Sequence, residues 1–264
     1  MAPLALAPAL WAQQIPLLIT HPSHPNTPFI TTLPRFAYLA LLLPRLSAFF
    51  SAPSRLSSFH HEDVLLRNLP LGLLVDLYNP PLPWRLTVSD GPGWDIADTF
   101  INSAKEADYI RYGNAKTILS LSKDDTSALW NAVLDNDYRA YAPIAAKLLN
   151  PALPLKNVPL RIYVASAPPP DHPSHDGAAP ATPAGAFKVI QALVPPRNLG
   201  TRQPQLVGAA LRSLLPSLFP SSRDPVLANA ILHGAPVPFD APIEDLMREA
   251  AYPDGWLCII VSLL

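Results

Sequence analysis

Two stretches far apart in the chain close in the same way. PLGLLVDLYNPPLPWRLTV at 70–88 and PIEDLMREAAYPDGWLCIIV at 242–261 each run from a short helical segment through a proline-containing turn to a tryptophan that opens an apolar strand. What precedes them repeats as well. In the N-terminal part come an apolar run at Ile15–Thr20, a weaker one at Phe29–Thr32, helical spacing over Arg35–Phe50 and a strand over Phe59–Arg67. The helix Leu71–Tyr78 and the alternating strand Pro83–Val88 complete that part. In the C-terminal part come VPLRIYVA at 158–165, AFKVIQALV at 186–194, helical spacing over Leu206–Phe219 and a short strand at Ala230–His233. A helix at Pro242–Ala251 and the strand Gly255–Ser262 follow.

Both parts read strand, strand, helix, strand, short helix, strand. That is the order of a ubiquitin-like β-grasp, a mixed sheet wrapped around one helix. The connector from about Trp94 to Asn150 is helical. Asp95 or Asp98 caps its first helix and Gly113–Asn114 ends it; Asp125–Thr126 opens a second; a third runs from Tyr138 to Leu149 and stops before Pro151. The expected fold is α+β, with two ubiquitin-like β-grasp domains flanking a small helix-rich domain. Its boundaries fall at 1–93, 94–154 and 155–264. Proline is over-used at 34 of 264 residues, where about 5% is usual. Much of it sets turns, but ASAPPPDHPSHDGAAPATPAGA at 165–186 has neither periodicity nor a large apolar residue and is expected to be a disordered loop.

Composition excludes several classes of function. With net charge −1 and no basic stripe the chain has no footprint for nucleic acid and no polybasic membrane anchor. Only 15% of residues are charged, so either the core is large or a partner covers part of an apolar surface. The single cysteine, Cys258, excludes an intrachain disulfide and fits a reducing, cytoplasmic compartment. Tyr38–Leu43 meets Pro44 and Arg45 before it could span a membrane, and MAPLALAPALWA lacks the basic start of a signal peptide.

Candidate chemistry is sparse. His60-His61-Glu62-Asp63 invites a metal reading. On one strand, however, His60 and Glu62 would share one face and His61 and Asp63 the other, two ligands each, as on a solvated edge strand. His172 and His175 fall in the proline-rich loop. There is no nucleophile elbow, phosphate loop or metalloprotease motif. Cys258 sits in the most apolar strand, where a thiol is buried rather than activated. Trp84, Trp130 and Trp256 read as core or domain-interface anchors. No catalytic residue, metal or cofactor is expected. The chain closes on IIVSLL without a glycine tail, so the expected role for a ubiquitin-like protein is recipient or scaffold rather than donor.

LPWRLTV, FINSAKEADYIR, the LW at Leu129–Trp130, VPLRIYV, SLLPSLF, ILHGAPVPFDAPIEDL and YPDGWLCIIV stand in the order, and at roughly the spacing, of the autophagy protein 5 family. The filamentous-fungal form is the one this chain resembles, over nearly its whole length except the proline-rich loop. The resemblance implies a non-catalytic scaffold in macroautophagy, accepting the ubiquitin-like modifier autophagy protein 12 on one lysine through the pathway's conjugating enzymes. It implies binding of the N-terminal helix of autophagy protein 16. It further implies that the conjugate acts like a ligase, promoting transfer of autophagy protein 8 to phosphatidylethanolamine. The expected location is cytoplasmic and at the phagophore assembly site, peripheral on the membrane. The lysine in the matching K-E-A-D context is Lys105.

Lys105 is the first lysine in the chain, one of only six. At 100° per residue, Phe100, Ala104, Ala107 and Arg111 gather on one side of the helix, and Lys105 falls about 140° from Phe100 with Tyr109 and Tyr112 beside it. Attack on a thioester needs the neutral amine, and a free lysine of pKa about 10.4 offers about one part in a few thousand at neutral pH. Asp108, three residues on, would favour the charged form and at most orient the amine, leaving desolvation to the conjugating enzyme. For the partner helix, the segment around Trp11 and surfaces shared by the three domains are the candidates; Trp11 could equally pack on its own first domain.

Overall fold

A computed structural model describes residues 6–51, 56–91, 95–149, 153–165, 187–198 and 200–264. After α1 (Leu6–Ala12) come β1 (Gln14–His21), β2 (His24–Pro34), a tight helical turn at Leu39–Leu42 leading into α2 (Leu43–Phe50), β3 (Leu56–His61), β4 (Val64–Leu65), α3 (Leu71–Tyr78) and β5 (Trp84–Asp90). The helical region holds α4 (Ile96–Tyr112), α5 (Lys116–Leu119), α6 (Lys123–Leu134) and α7 (Tyr138–Leu149). The second sheet region holds β6 (Val158–Ala165), β7 (Phe187–Val194), α8 (Val207–Leu214), β8 (Ala228–Leu232), β9 (Ala235–Pro236), α9 (Ile243–Ala250) and β10 (Leu257–Leu263).

The duplication is borne out in three dimensions. The sheets run β2-β1-β5-β3-β4 and β7-β6-β10-β8-β9, the same order element for element. In each the last strand is central and parallel to the first: Leu17 faces Trp84 across β1–β5, and Leu160 faces Leu257 across β6–β10. β1 alternates buried and half-buried positions, so one face of the first sheet meets its core. β10 is buried at every position from Leu257 to Val261, because α3 of the first domain and the helical region together cover the sheet's other face.

Several sequence expectations need correction. Phe59–Arg67 is not one strand but the hairpin β3–β4, reversing at Glu62, whose φ is 53°. Glu62 and Asp63 therefore sit in the turn, share no strand face with the histidines, and β4 is the sheet edge. Leu206–Phe219 is helical only to Leu214, because Pro216 cannot continue the ladder; Phe219 still packs into the core. Ala230–His233 belongs to a second hairpin, β8–β9, turned by His233 and Gly234, both at positive φ as a two-residue hairpin loop requires. In the connector, Asp95 caps α4 through the Asp98 amide and Gly113 ends it in the left-handed region. The cap of α6 is Ser122, bonded to the Asp125 amide, and the short α5 was not anticipated. Of the proline-rich loop, residues 166–186 lie outside the described residues.

Among the described residues two apolar clusters form. One lies wholly within residues 15–88, inside the first sheet domain. The other runs from Leu10 and Trp11, with Phe36, Tyr38 and Leu73 of the first domain, through α4, α6 and α7 into the second sheet domain without a break.

Candidate functional site

Helix α4 lies on the outer face of the second sheet, touching β6. Phe100, Ala104, Ala107 and Arg111 are buried, as the helical period predicts. Lys105 is partly exposed, and its ammonium meets the Asn102 side chain at 3.4 Å. With Glu106, Tyr109, Ile110, Gln191 and Trp256 it borders a shallow recess of about 320 Å³. Tyr109 stands beside the lysine at 57% exposure.

Two neighbours expected on that flank are elsewhere. Asp108 is buried at 0% exposure; its Oδ2 accepts the Ile118 amide at 3.0 Å, and its Oδ1 lies 3.8 Å from Arg111 Nη1. Burial raises its carboxyl pKa, against the Ile118 bond and the Arg111 charge. A carboxylate turned inward to close the α4–α5 corner does not orient the Lys105 amine, so that expectation is corrected. Tyr112 is also buried, donating to the Leu148 carbonyl at 2.9 Å, and adds nothing to the lysine's surroundings.

The turn carrying Lys105 is pinned by Arg161 and Asp254, which the sequence left unassigned, and by Trp256, expected there only as an anchor. Arg161 of β6 reaches α4 with both terminal nitrogens: Nη1 donates to Ser103 Oγ at 3.0 Å and Nη2 to Glu106 Oε2 at 2.9 Å. Its guanidinium lies 3.8 Å above the Trp256 ring. Trp256 Nε1 donates to the Ser103 carbonyl at 3.0 Å, and Ser103 Oγ donates to Asp254 Oδ2 at 2.7 Å. One signal was visible: an arginine inside the otherwise apolar run VPLRIYV needs a polar partner across its face.

On another side the three domains meet around a cleft of about 270 Å³. Its walls are Leu10 and Trp11 of α1, Tyr141, Ala142 and Ala145 of α7, and Met247 of α9. Trp11 is 4% exposed; it packs on Phe36 of the first domain at 5.4 Å and on Tyr141 of the helical region at 4.8 Å. Its carbonyl accepts Asn136 Nδ2 at 3.1 Å. It is thus both an internal anchor and part of the cleft wall.

The remaining candidates sort by packing. Trp84 and Trp256 are buried in their domains, and Trp130 packs on Phe100 at 5.1 Å. His60 Nδ1 lies 3.3 Å from Ser89 Oγ, while the His61 ring packs edge-on against Trp84, so the pair diverges. Among the described residues no group of three metal-ligating side chains converges. Cys258 is buried at 4% exposure, and burial pushes its thiol pKa far above the ordinary value, as expected of a packing residue. No helix among the described residues is long and apolar enough to cross a membrane.

The geometry defines a class first: two ubiquitin-like domains of identical strand order, the second packed through its outer face on a helical region that carries four of the six lysines, Lys105 among them. Family models agree in tandem, matching as "Autophagy protein ATG5, UblA domain" over residues 10–89, "alpha-helical bundle region" over 95–151 and "UblB domain" over 157–261. Autophagy-related protein 5 of Neurospora crassa is 63% identical, covering 99% of this chain and 72% of that protein. Autophagy protein 5 of Pyricularia oryzae is 64% identical over 96% of this chain and 78% of its own length. The crystal structure of Kluyveromyces marxianus Atg5 shares the fold, with TM-score 0.75 at 22% identity over 97% of this chain and 99% of that one. The chain belongs to the autophagy protein 5 family, and its role lies in autophagy.

Proposed function

We propose that this chain is a non-catalytic scaffold that accepts the ubiquitin-like modifier autophagy protein 12 on Lys105 and binds the N-terminal helix of autophagy protein 16. As that complex it promotes, in ligase-like fashion, the joining of autophagy protein 8 to phosphatidylethanolamine at the phagophore assembly site. The observation that carries the reading is the placement of Lys105: partly exposed, at the edge of a recess, on a helix turn held by both neighbouring elements.

The chemistry asked of Lys105 is simple. Its neutral nitrogen attacks the carbonyl of the thioester that joins the modifier's C-terminal glycine to the conjugating enzyme's cysteine. The C–N bond forms, the C–S bond breaks, the thiolate leaves on the enzyme, and the nitrogen loses its extra proton to solvent. Neither carboxylate within a turn of Lys105 is free to act as a base: Asp108 faces inward and Glu106 is held by Arg161. Deprotonation and desolvation therefore fall to the conjugating enzyme, and Cys258, buried, takes no part in a thiol relay.

The cleft between α1, α7 and α9 suits an amphipathic helix laid along it, the apolar groove mode of recognition. The three domains together supply its walls, with Arg248 and Glu249 at the α9 side.

A reconstituted reaction of activating enzyme, conjugating enzyme, modifier and ATP, read by intact mass, tests the acceptor. One modifier-sized adduct on the wild type and none on Lys105→Arg is the expected result. An adduct that survives the substitution would move the site to another lysine. No adduct on either protein, with active enzymes, would favour an unmodified tandem ubiquitin-like adaptor that only binds a partner helix. For the cleft, Ala142→Arg should weaken binding of the partner peptide about tenfold or more, roughly 1.4 kcal/mol, with conjugation intact.

A further inference from the structure

The acceptor lysine belongs to the helical region, yet the contacts that fix its helix turn come from the second ubiquitin-like domain. Ser103 and Glu106 bracket Lys105. Each is bonded by one terminal nitrogen of Arg161, at 3.0 and 2.9 Å. The same guanidinium lies over the Trp256 ring at 3.8 Å and stands 3.8 Å from Asp254 Oδ2. Trp256 closes the loop by donating to the Ser103 carbonyl at 3.0 Å. Rotation of α4 about its axis and sliding across the sheet would each break at least one of these bonds.

The arrangement also bears on charge. Glu106 borders the same recess as Lys105, and its carboxylate is turned to Arg161. Gln191, directly opposite Arg161 in the β6–β7 register, forms the recess on the far side. Arg161 thus sets the shape of the space next to the amine and fixes the acid beside it. Lysine could not substitute: a planar fork meets two acceptors while stacking on a ring, and an ammonium does not.

We infer that Arg161 is a positioning residue for the Lys105 acceptor, holding the Ser103–Glu106 turn against the second ubiquitin-like domain so that the amine meets the thioester in an attack geometry. The inference rests on the acceptor reading above. Misplacement of a reacting group by an ångström can cost about a hundredfold in rate. A clamp whose loss lets the turn drift less than that should cost about tenfold.

The test measures single-turnover conjugation against increasing concentrations of thioester-charged conjugating enzyme, using the full chain and its Arg161→Ala, Arg161→Lys and Glu106→Gln variants. The expected result is a kcat about tenfold lower in Arg161→Ala, with KM changed less than about twofold and the affinity for the partner peptide in the cleft retained. Arg161→Lys should stay slow, and Glu106→Gln, which takes the charge out of one bond on an exposed side chain but keeps an acceptor oxygen, should show a smaller fall of about threefold. Wild-type kcat in both Arg161→Ala and Glu106→Gln overturns the inference, as does full recovery by lysine. A rate loss that only tracks loss of folded protein by circular dichroism overturns it too. No adduct on the wild-type chain would instead overturn the acceptor reading, so the two failures are distinct.

Discussion

The two ubiquitin-like domains share one strand order and differ in what covers them. In the first, β1 buries alternate residues, and the core closes within residues 15–88. In the second, β6 and β10 are buried on both faces, and the core continues into α4, α6, α7 and α1. One copy keeps a core of its own and lends Phe36, Tyr38 and Leu73 to the other cluster; the other copy is half of a composite. Lys105 and its recess lie on the composite, and the cleft borders it, so the proposed chemistry sits where the duplicated fold has stopped being independent.

The twin tryptophans break this comparison most sharply. Trp84 and Trp256 open the last strands and are 0% and 1% exposed. Each replaced by alanine should cost about 3–5 kcal/mol through lost burial and the cavity left behind. Their reach should differ. Trp84→Ala is expected to unfold the first domain early while conjugation at Lys105 persists below that transition. Trp256→Ala removes the Ser103 bond and the Arg161 platform, so the helical and second domains should melt together and conjugation should be lost. Denaturant melts followed by hydrogen exchange separate the two; identical exchange patterns would end the module-versus-composite distinction.

Between the domains lies a polar junction. Arg35 pairs with Asp76, and its Nε donates to His233 Nδ1 at 3.1 Å. The arginine stem runs so close to Gly72 that a Cβ there would lie 2.3 Å from Arg35 Cγ. The pair is almost fully buried, so Asp76→Ala, which leaves a buried cation without its counter-charge, should cost about 3 kcal/mol or more in a urea melt. If the first domain is self-contained, the loss should appear mainly as weaker docking of the domains, with the first domain's own exchange protection kept. Loss of protection inside the first domain would show that the junction supports that domain too.

Most of this contrast was legible in the chain. PWRLTV alternates and GWLCIIV does not, the signature of a sheet covered on one face and on two. The repeated closing segments fixed the topology, and the helical period placed Lys105 outward. Three things were hidden for identifiable reasons. The first hairpin turn passed as strand because Glu62 holds positive φ with no asparagine or glycine to announce it, and the second strand was carried one residue too far, to His233, which holds positive φ just ahead of Gly234. Asp108 lies on the flank between Lys105 and the core, and only the amide of Ile118, brought in by an unforeseen short helix, decides which way it turns. Arg161 stands far along the chain from Ser103 and Glu106, and nothing local in VPLRIYV names its partners.

Those two turns give the next test. Glu62 and His233 occupy equivalent hairpin positions, at φ 53° and 52°. Glu62 is exposed, whereas His233 packs on Tyr252 at 4.8 Å and on Phe36 at 5.6 Å. Arg35 can only donate and the Ala250 carbonyl can only accept, so the imidazole is neutral with its proton on Nε2, 2.8 Å from that carbonyl. Burial lowers its pKa to about 4, helped by the Arg35 charge and opposed by the Ala250 bond. An unfolded histidine takes its proton near pH 6.5. Between about pH 6.5 and 4 the unfolded state binds more protons, so stability should fall as pH falls through that window, by about 3 kcal/mol over its full width, and level off below. Asp76, its carboxyl raised by burial, acts in the opposite direction. His233→Gln should flatten the slope in the window, and Glu62→Gln should leave it unchanged. An unchanged slope in the histidine variant would remove His233 as its source.

The smallest effect lies within the composite itself. Tyr112 donates to the Leu148 carbonyl at 2.9 Å, tying the end of α4 to the end of α7 in a buried setting. Tyr112→Phe keeps the ring and strands one acceptor, which should cost about 1 kcal/mol. In a composite unit that loss has no private place to appear: helices α4 and α7 share their cluster with the second sheet, so exchange should rise by the same factor in the helical region and in β10. A rise confined to α4 and α7 would mean that the helical region opens on its own, and that the second ubiquitin-like domain is as self-contained as the first.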